Sequence, residues 1–367
     1  MAISDKRIIM KEIIESMDYM VRVMDADHKV IYMNKRMREV FGHTLGHICY
    51  SLFGRNERCE HCVTRETIET GQPDSKYVLI GDNYYQVISS PVNTEGGQNY
   101  SIELMHDITE QKKMEDELMN HYEKLKADID FAKHIQNRAL PLDGEYWNSL
   151  EINSLYLPSE DLGGDLYDII KMNETESLLY IADVSGHGIT SSLLTMFLRQ
   201  MLRGQVTEKK IDLKEILGLL HKNYLELRTD KEQYLTVLFC LYNSESKEVS
   251  FLNAGHNCLP IVIKRNGEIQ VINVTGMPVC NLMDKIEHSL VKVPVESGDR
   301  IILYTDGISE ARNSNNEQFE TERMLETIKN NIHMDGKSLA IKIIDEVESF
   351  TQKPILDDMA IVVAKII

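Results

Sequence analysis

Asp165, Asp183, Asp306 and Asp357 each sit in a short motif in the C-terminal two-thirds of a 367-residue chain. The motifs are Gly163-Gly164-Asp165-Leu166-Tyr167-Asp168, Ala182-Asp183-Val184-Ser185-Gly186-His187-Gly188, Tyr304-Thr305-Asp306-Gly307 and Asp357-Asp358-Met359-Ala360. The last three adjoin apolar β-type runs, at Leu178 to Ile181, Ile301 to Tyr304 and Ile361 to Val363. A strand that ends in a carboxylate and then a glycine turn sets a hard oxygen ligand at a sheet edge. Several such ends converging make a divalent-metal site. Four gathered carboxylates carry about four negative charges and would repel a phosphate dianion, whereas two divalent cations roughly cancel them. Paired ions about 3.5–4 Å apart also lower the pKa of a shared water from about 15.7 towards 7 and clamp phosphoryl oxygens. The constellation favours a binuclear Mg²⁺ or Mn²⁺ phosphohydrolase.

Two histidines lie among small residues, His187 in Ser-Gly-His-Gly and His256 in Asn-Ala-Gly-His-Asn. Imidazole titrates near neutrality, so either is a candidate proton donor to a leaving alkoxide. Either could equally satisfy a tight turn by hydrogen bonding. A second cluster stands far upstream: Cys49, Cys59 and Cys62, with His43, His47 and His61 nearby. Two thiolates at Cys-x-x-Cys spacing can face one centre, which fits a zinc ion, an iron–sulfur cluster or a redox pair. The alternative is that these are small packing residues. Cys240, Cys258 and Cys280 are isolated and read as ordinary core or loop residues.

The elements that must position these groups fall into three regions. Residues 10–108 read as an α/β unit: a hairpin from Val21 to Met24 and Val30 to Met33, a short helix from Lys35 to Phe41 ended by Gly42, and strands at Lys76 to Ile80, Tyr84 to Pro91 and Tyr100 to Asp107. Residues 109–141 contain no glycine and are rich in Glu, Lys, Asp, Leu and Met, which predicts a helix. Leu118, Tyr122, Leu125, Ile129 and Ala132 repeat at four-three-four-three spacing, a heptad seam that pairs helices into a homodimer. The same stripe could instead lie on the chain's own catalytic region. Residues 142–367 carry the aspartate motifs and further helices at Ile189 to Leu202, Ile211 to Leu227, Glu317 to Ile332 and Lys337 to Phe350.

Composition narrows the class. A formal charge of −18 leaves no broad basic surface to release counterions, so nucleic acid is not the expected partner. No apolar run reaches the roughly 20 residues that cross a bilayer, and charges at Lys6, Arg7, Lys11 and Glu12 are wrong for a signal peptide. A cytoplasmic protein without membrane contact is expected. Six cysteines in a chain of this length do not suggest a disulfide scaffold.

Residues 150–367 resemble the PPM class of metal-dependent serine/threonine protein phosphatases, in its bacterial SpoIIE-like and RsbU-like branch. The resemblance rests on GGDLYD, ADVSGHG, FLNAGHNCLP, GDRIILYTDGISEA and DDMAIVV, which occur in the family's order. It implies an α+β protein whose C-terminal domain is an α-β-β-α sandwich of two antiparallel sheets. It also implies a phosphoserine or phosphothreonine substrate on a STAS-domain regulator of an anti-sigma factor. Carried over by position, Asp183 bridges two ions, Asp165 holds one, Asp306 and Asp357 complete the other, and the Val184 carbonyl adds a ligand. Asp358 competes with Asp357, and adjacent carboxylates cannot be separated by sequence. Where the larger eukaryotic enzymes place a phosphate-holding arginine, this chain has Glu160.

The stretch from Val21 to Gly42, with Asn34 after the second strand, resembles a PAS sensor domain, and Asp107-Ile108-Thr109 looks like the motif with which PAS domains enter a signalling helix. Ala132 to Gln136 and Leu140-Pro141 resemble the regulatory helix of this phosphatase branch. The expected protein is a phosphatase regulated by a small-molecule or redox signal, hydrolysing its phosphoprotein directly with a metal-bound water. The rival is a catalytically inactive module of the same fold that sequesters a phosphorylated partner, and the intact aspartate set counts against it.

Overall fold

The computed structural model describes residues 3–53, 55–94, 99–186, 188–206, 212–230, 233–283, 288–351 and 357–367. The chain divides into two compact units, Met1–Leu125 and Lys126–Ile367. Among the described residues no helix is long and apolar enough to cross a membrane.

The first unit runs α1 (Ile3–Ser16), β1 (Met20–Met24), β2 (Val30–Met33), α2 (Lys35–Phe41), a 3-10 turn (Cys49–Phe53), α3 (Val63–Thr70), β3 (Asp74–Ile80), β4 (Asn83–Asn93) and β5 (Asn99–Asp107). Its five strands form one antiparallel sheet in the order β2-β1-β5-β4-β3. Asn34 fixes the entry to α2. Its side-chain oxygen caps Met37 N at 3.0 Å and accepts Val21 N at 2.9 Å, while its amide donates to the Tyr19 carbonyl at 2.8 Å. Gly42, at φ 75°, ends the helix as its sequence position predicts. The core is rich in methionine, with Met20, Met24, Met33, Met37 and Met105 packed on Val63, Tyr85 and Val87. Such unbranched side chains fill irregular gaps that β-branched residues would leave.

α4 (Thr109–Ala139) follows directly. Asp107 accepts from Thr109 N at 3.0 Å and from the Thr109 hydroxyl at 2.5 Å, and that hydroxyl accepts Tyr84 N at 2.9 Å. The Asp-Ile-Thr motif is therefore a cap that ties the helix start to the sheet. Along α4, Leu118, Tyr122 and Leu125 are exposed, while Ile129 and Ala132 are half-buried.

The second unit contains β6 (Gly144–Tyr146), β7 (Leu150–Leu157), β8 (Asp165–Lys171), β9 (Glu176–Val184), α5 (Ile189–Val206), α6 (Leu213–Glu226), β10 (Tyr234–Asn243), β11 (Glu248–Ala254), β12 (Ile261–Ile263), β13 (Ile269–Val271), β14 (Val279–Cys280), β15 (Leu290–Pro294), β16 (Arg300–Tyr304), α7 (Asp306–Ser309), α8 (Glu320–Asn330), α9 (Gly336–Thr351) and β17 (Met359–Ile366). One sheet is ordered β15-β11-β10-β9-β8, with β14 on β10, and the other β13-β12-β16-β17-β7-β6. All the pairings are antiparallel.

Strand parity builds the layers, because successive side chains point to opposite faces. In β9, Leu179 and Ile181 face the space between the sheets, whereas Leu178, Tyr180 and Ala182 pack under α5 and α6. In β17, Val362 and Ala364 face inward between the sheets, and Ile361 and Val363 pack under α8 and α9. Both faces of each sheet are covered, so these strands read as continuous apolar runs. The result is the expected α-β-β-α sandwich. Ile211, the start of the expected α6, lies outside the described residues.

Candidate metal centre

The same parity delivers the aspartates. Asp165 and Asp183 are directly opposed across the β8–β9 pair. Asp165 is in phase with Tyr167 and Ile169, and Asp183 with Leu179 and Ile181, so both point into the inter-sheet layer at one end of the sandwich. From the other sheet, Thr305 is in phase with Ile301 and Leu303, and Asp358 with Ala360 and Val362. The Thr305 hydroxyl donates to Asp165 Oδ2 at 2.6 Å and accepts Ala360 N at 2.8 Å. The inward side chains of two sheets thus meet at one spot.

Close backbone approach lets them do so. A Cβ on Gly164 would lie 2.8 Å from the Val184 carbonyl oxygen, and one on Gly307 would collide with the Asp358 carbonyl. Not every one of these carboxylates closes a strand. Asp165 opens β8, and Asp306 opens the short helix α7 with Gly307 inside it. The glycine there serves packing against β17, not a turn.

Electrostatics mark the cluster as strained by its own charge. Burial and then the neighbouring Asp183 hold the Asp165 carboxyl well above the usual range, against the lowering effect of the Thr305 hydroxyl. Asp183 is pushed up to about 8 by burial, then by Asp306, Asp357 and Asp358. Asp306 is pushed up to about 6 by burial and Asp357. Asp357 and Asp358 differ in occupation. Asp358 is buried and accepts Ser159 N at 2.7 Å, Ser159 Oγ at 2.9 Å and Gly164 N at 2.5 Å. Asp357 is exposed, accepts the Asp358 N–H at 2.9 Å, and also acts through space on Asp183 and Asp306. A cavity of about 330 Å³ beside them is lined by Asp183, Asp306, His256, Asn257, Tyr234 and Pro278.

His256 is buried with both ring nitrogens engaged: Nε2 lies 2.9 Å from the Tyr304 carbonyl and Nδ1 lies 3.1 Å from the Thr236 hydroxyl. With Nε2–H donating to the carbonyl, Thr236 donates to Nδ1. Burial lowers its pKa to about 4, so near neutrality the ring is uncharged and its one proton is committed to Tyr304. That geometry ties β16 to the turn that follows β11. His187 lies outside the described residues. Glu160 is exposed and stands near Gly188. Asp168, from the GGDLYD motif, faces the helix side and is clamped by Arg203 at 2.6 and 2.7 Å and by Arg199 at 3.3 Å.

Among the described residues no three His, Cys, Asp or Glu side chains are set to hold a metal ion as they stand. At the aspartate end several carboxylate oxygens gather from both sheets, a donor set that suits hard divalent cations. The cysteine cluster differs. Arg22 donates to Cys49 Sγ at 3.1 Å, Arg55 donates to Cys59 Sγ at 3.4 Å, and His61 is paired with Asp74 at 2.8 Å. The zinc or iron–sulfur reading gains no support there. Sequence reasoning missed Thr305, Ser159 and Gln136. The Gln136 amide of α4 donates to the Gly163 carbonyl at 2.7 Å and accepts Gly163 N at 3.2 Å, two residues from Asp165.

Two packed antiparallel sheets with helices outside and aspartates at one end define a PP2C-type, metal-dependent serine/threonine phosphatase fold. Comparison with known proteins agrees. Residues 173–367 match the family described as Stage II sporulation protein E (SpoIIE), and residues 9–71 match the PAS domain. Phosphoserine phosphatase RsbU of Bacillus subtilis is 21% identical over 82% of this chain and 89% of its own length. Phosphoserine phosphatase RsbP of the same organism is 27% identical over 50% of this chain and 45% of its own. The SiaA-PP2C domain of Pseudomonas aeruginosa superimposes with a TM-score of 0.57 at 18% identity, covering 67% of this chain and 98% of that one. The chain belongs to the SpoIIE family, as a protein serine/threonine phosphatase with an N-terminal PAS domain.

Proposed function

We propose that this phosphatase removes phosphate from serine or threonine of a regulatory protein, a STAS-domain anti-anti-sigma factor, under control of its PAS unit. The observation that carries the reading is the opposed pair Asp165 and Asp183 with Asp306 alongside, buried carboxyls that raise one another's pKa. Asp165, Asp183, Asp306 and Asp357 hold the ions, and the Val184 carbonyl lies within reach of the same end. Two Mn²⁺ or Mg²⁺ ions, when bound, supply an acidified water and cancel the charge that would repel a phosphoester. Asp358 is a positioning residue, stapling the Ser159 and Gly164 backbone so that Asp165 keeps its orientation. Thr305 orients the second oxygen of Asp165. The cavity beside Asp183 and Asp306 receives the phosphorylated segment against Tyr234 and Asn257.

Regulation runs through α4. Its exposed stripe of Leu118, Tyr122 and Leu125 pairs with a second copy, and Gln136 on the same helix grips Gly163 beside the site. A shift of the helix is then felt by the backbone that carries Asp165. The test is incubation of the full chain with phosphorylated STAS-domain proteins, with Mn²⁺ and with chelator. Release of phosphate only with the metal is expected. Stable binding of the phosphoprotein without release, at saturating metal, would establish the sequestering module instead.

A further inference from the structure

We propose that the N-terminal unit binds a small monocarboxylate with a short apolar tail, its carboxylate held by Arg55 and Lys76. A cavity of about 130 Å³ lies between α3, the 3-10 turn and the sheet. An engineered cavity of about 150 Å³ holds one benzene, so the ligand has about six non-hydrogen atoms. Apolar walls come from Val63, Val78, Val87 and Met105, which favour a hydrocarbon tail.

The lining is cationic. Arg22 and Glu103 stand opposite one another on β1 and β5, both buried, and pair at 2.6 Å. The Thr64 hydroxyl also donates to Glu103, so that carboxylate is fully taken. This pair contributes no net charge. Arg55 and Lys76 remain: Arg55 donates to the Cys59 sulfur at 3.4 Å and Lys76 to the His61 carbonyl at 2.8 Å. Asp74, one strand repeat from Lys76, is occupied by His61. Among the described residues neither cation makes an ion pair. Burial pushes the Cys49 thiol up, so the thiol beside Arg22 does not add a negative charge at neutral pH. Two cations and an apolar interior complement a group that is anionic at one end only. A monoanion is also cheaper to desolvate here than a dianion such as phosphate.

Sodium butyrate, with six non-hydrogen atoms, is the probe, and butyramide is its neutral isostere. Calorimetric titration of the full chain should give one site for butyrate, with butyramide and inorganic phosphate each weaker by about tenfold or more. The double variant Arg55→Gln/Lys76→Gln should keep its melting temperature and basal phosphatase activity while losing butyrate affinity about tenfold. Cys59 lines the same cavity, so butyrate should slow its alkylation by iodoacetamide in wild type and not in the double variant. Equal binding of butyramide, or butyrate binding unchanged in the double variant, overturns the charge argument. No response to butyrate in either readout overturns the site.

Discussion

Asp165 and Asp168 stand three residues apart on β8, both almost wholly buried, and their surroundings are opposite. Asp168 faces the helices and meets two arginines, one through a two-point grip. Asp165 faces the other sheet and meets more carboxyls. The first is a carboxylate whose charge the protein satisfies itself, and such a group holds α5 to its sheet. The second belongs to a set of carboxyls that, with burial, raise one another's pKa. Burial is equal in the two; the partner decides which carboxylate is structural and which is chemical.

The sharpest way to break that contrast is Asp183→Asn. Turnover with Mn²⁺ should fall by a factor on the order of 10² or more, because a carboxylate of the proposed centre is lost, while the metal-free protein should melt no lower than wild type. Near-normal turnover at saturating metal would remove Asp183 from the centre. Asp168→Asn should do the reverse, with metal affinity retained and stability lowered by roughly 2–3 kcal/mol in chemical denaturation. That lies below the full cost of breaking a buried pair because Arg203 is partly exposed. A loss of metal binding with unchanged stability would merge the two classes.

Adjacent Asp357 and Asp358 test the distinction at closer range. Asp358→Asn weakens acceptance from Ser159 and Gly164 and should cost about 1–2 kcal/mol, whereas Asp357→Asn should raise the Mn²⁺ needed for half-maximal activity and leave melting unchanged. Exchange of these phenotypes would exchange their roles. The smallest effect is in pH. A carboxyl whose pKa rises on folding binds its proton more tightly in the native state. Its stabilising contribution is complete below the ordinary value of 3.8 and is lost as pH climbs through its native pKa. Chelator-treated protein should therefore melt lower as pH is raised from 4 to 8, through about 6 for Asp306 and about 8 for Asp183. Asp183→Asn should flatten the upper part of that curve, and a flat wild-type curve would argue against mutual repulsion in the cluster.

Much of this site was legible because strand parity is written in the sequence. The apolar runs around Asp183, Asp306 and Asp357 located the strands, and the linker helix followed from composition. Contacts made between distant segments were not legible. Thr305 looks like a turn residue until Asp165, 140 positions away, is placed against its hydroxyl. The partner of the His256 ring, the Tyr304 carbonyl, lies 48 positions away and is invisible in the local motif. Asp358 and Asp357 look alike until Ser159, 199 positions from Asp358, is found bonded to the Asp358 carboxylate. The cysteine motif carried a spacing signal, but its neighbour Arg22 comes from another part of the chain, 27 positions from Cys49.

The direct opposition of Asp165 and Asp183 across β8 and β9 has a consequence for folding. A slip of β8 by one residue along β9 would turn every β8 side chain to the other face. Asp165 would then be driven under α5, and Asp168 would leave its arginines for the inter-sheet layer. No such slipped chain could assemble the carboxylate end, however compact it became. Metal-dependent turnover is for that reason a register proofreader, reporting native alignment where circular dichroism would record only the presence of strands.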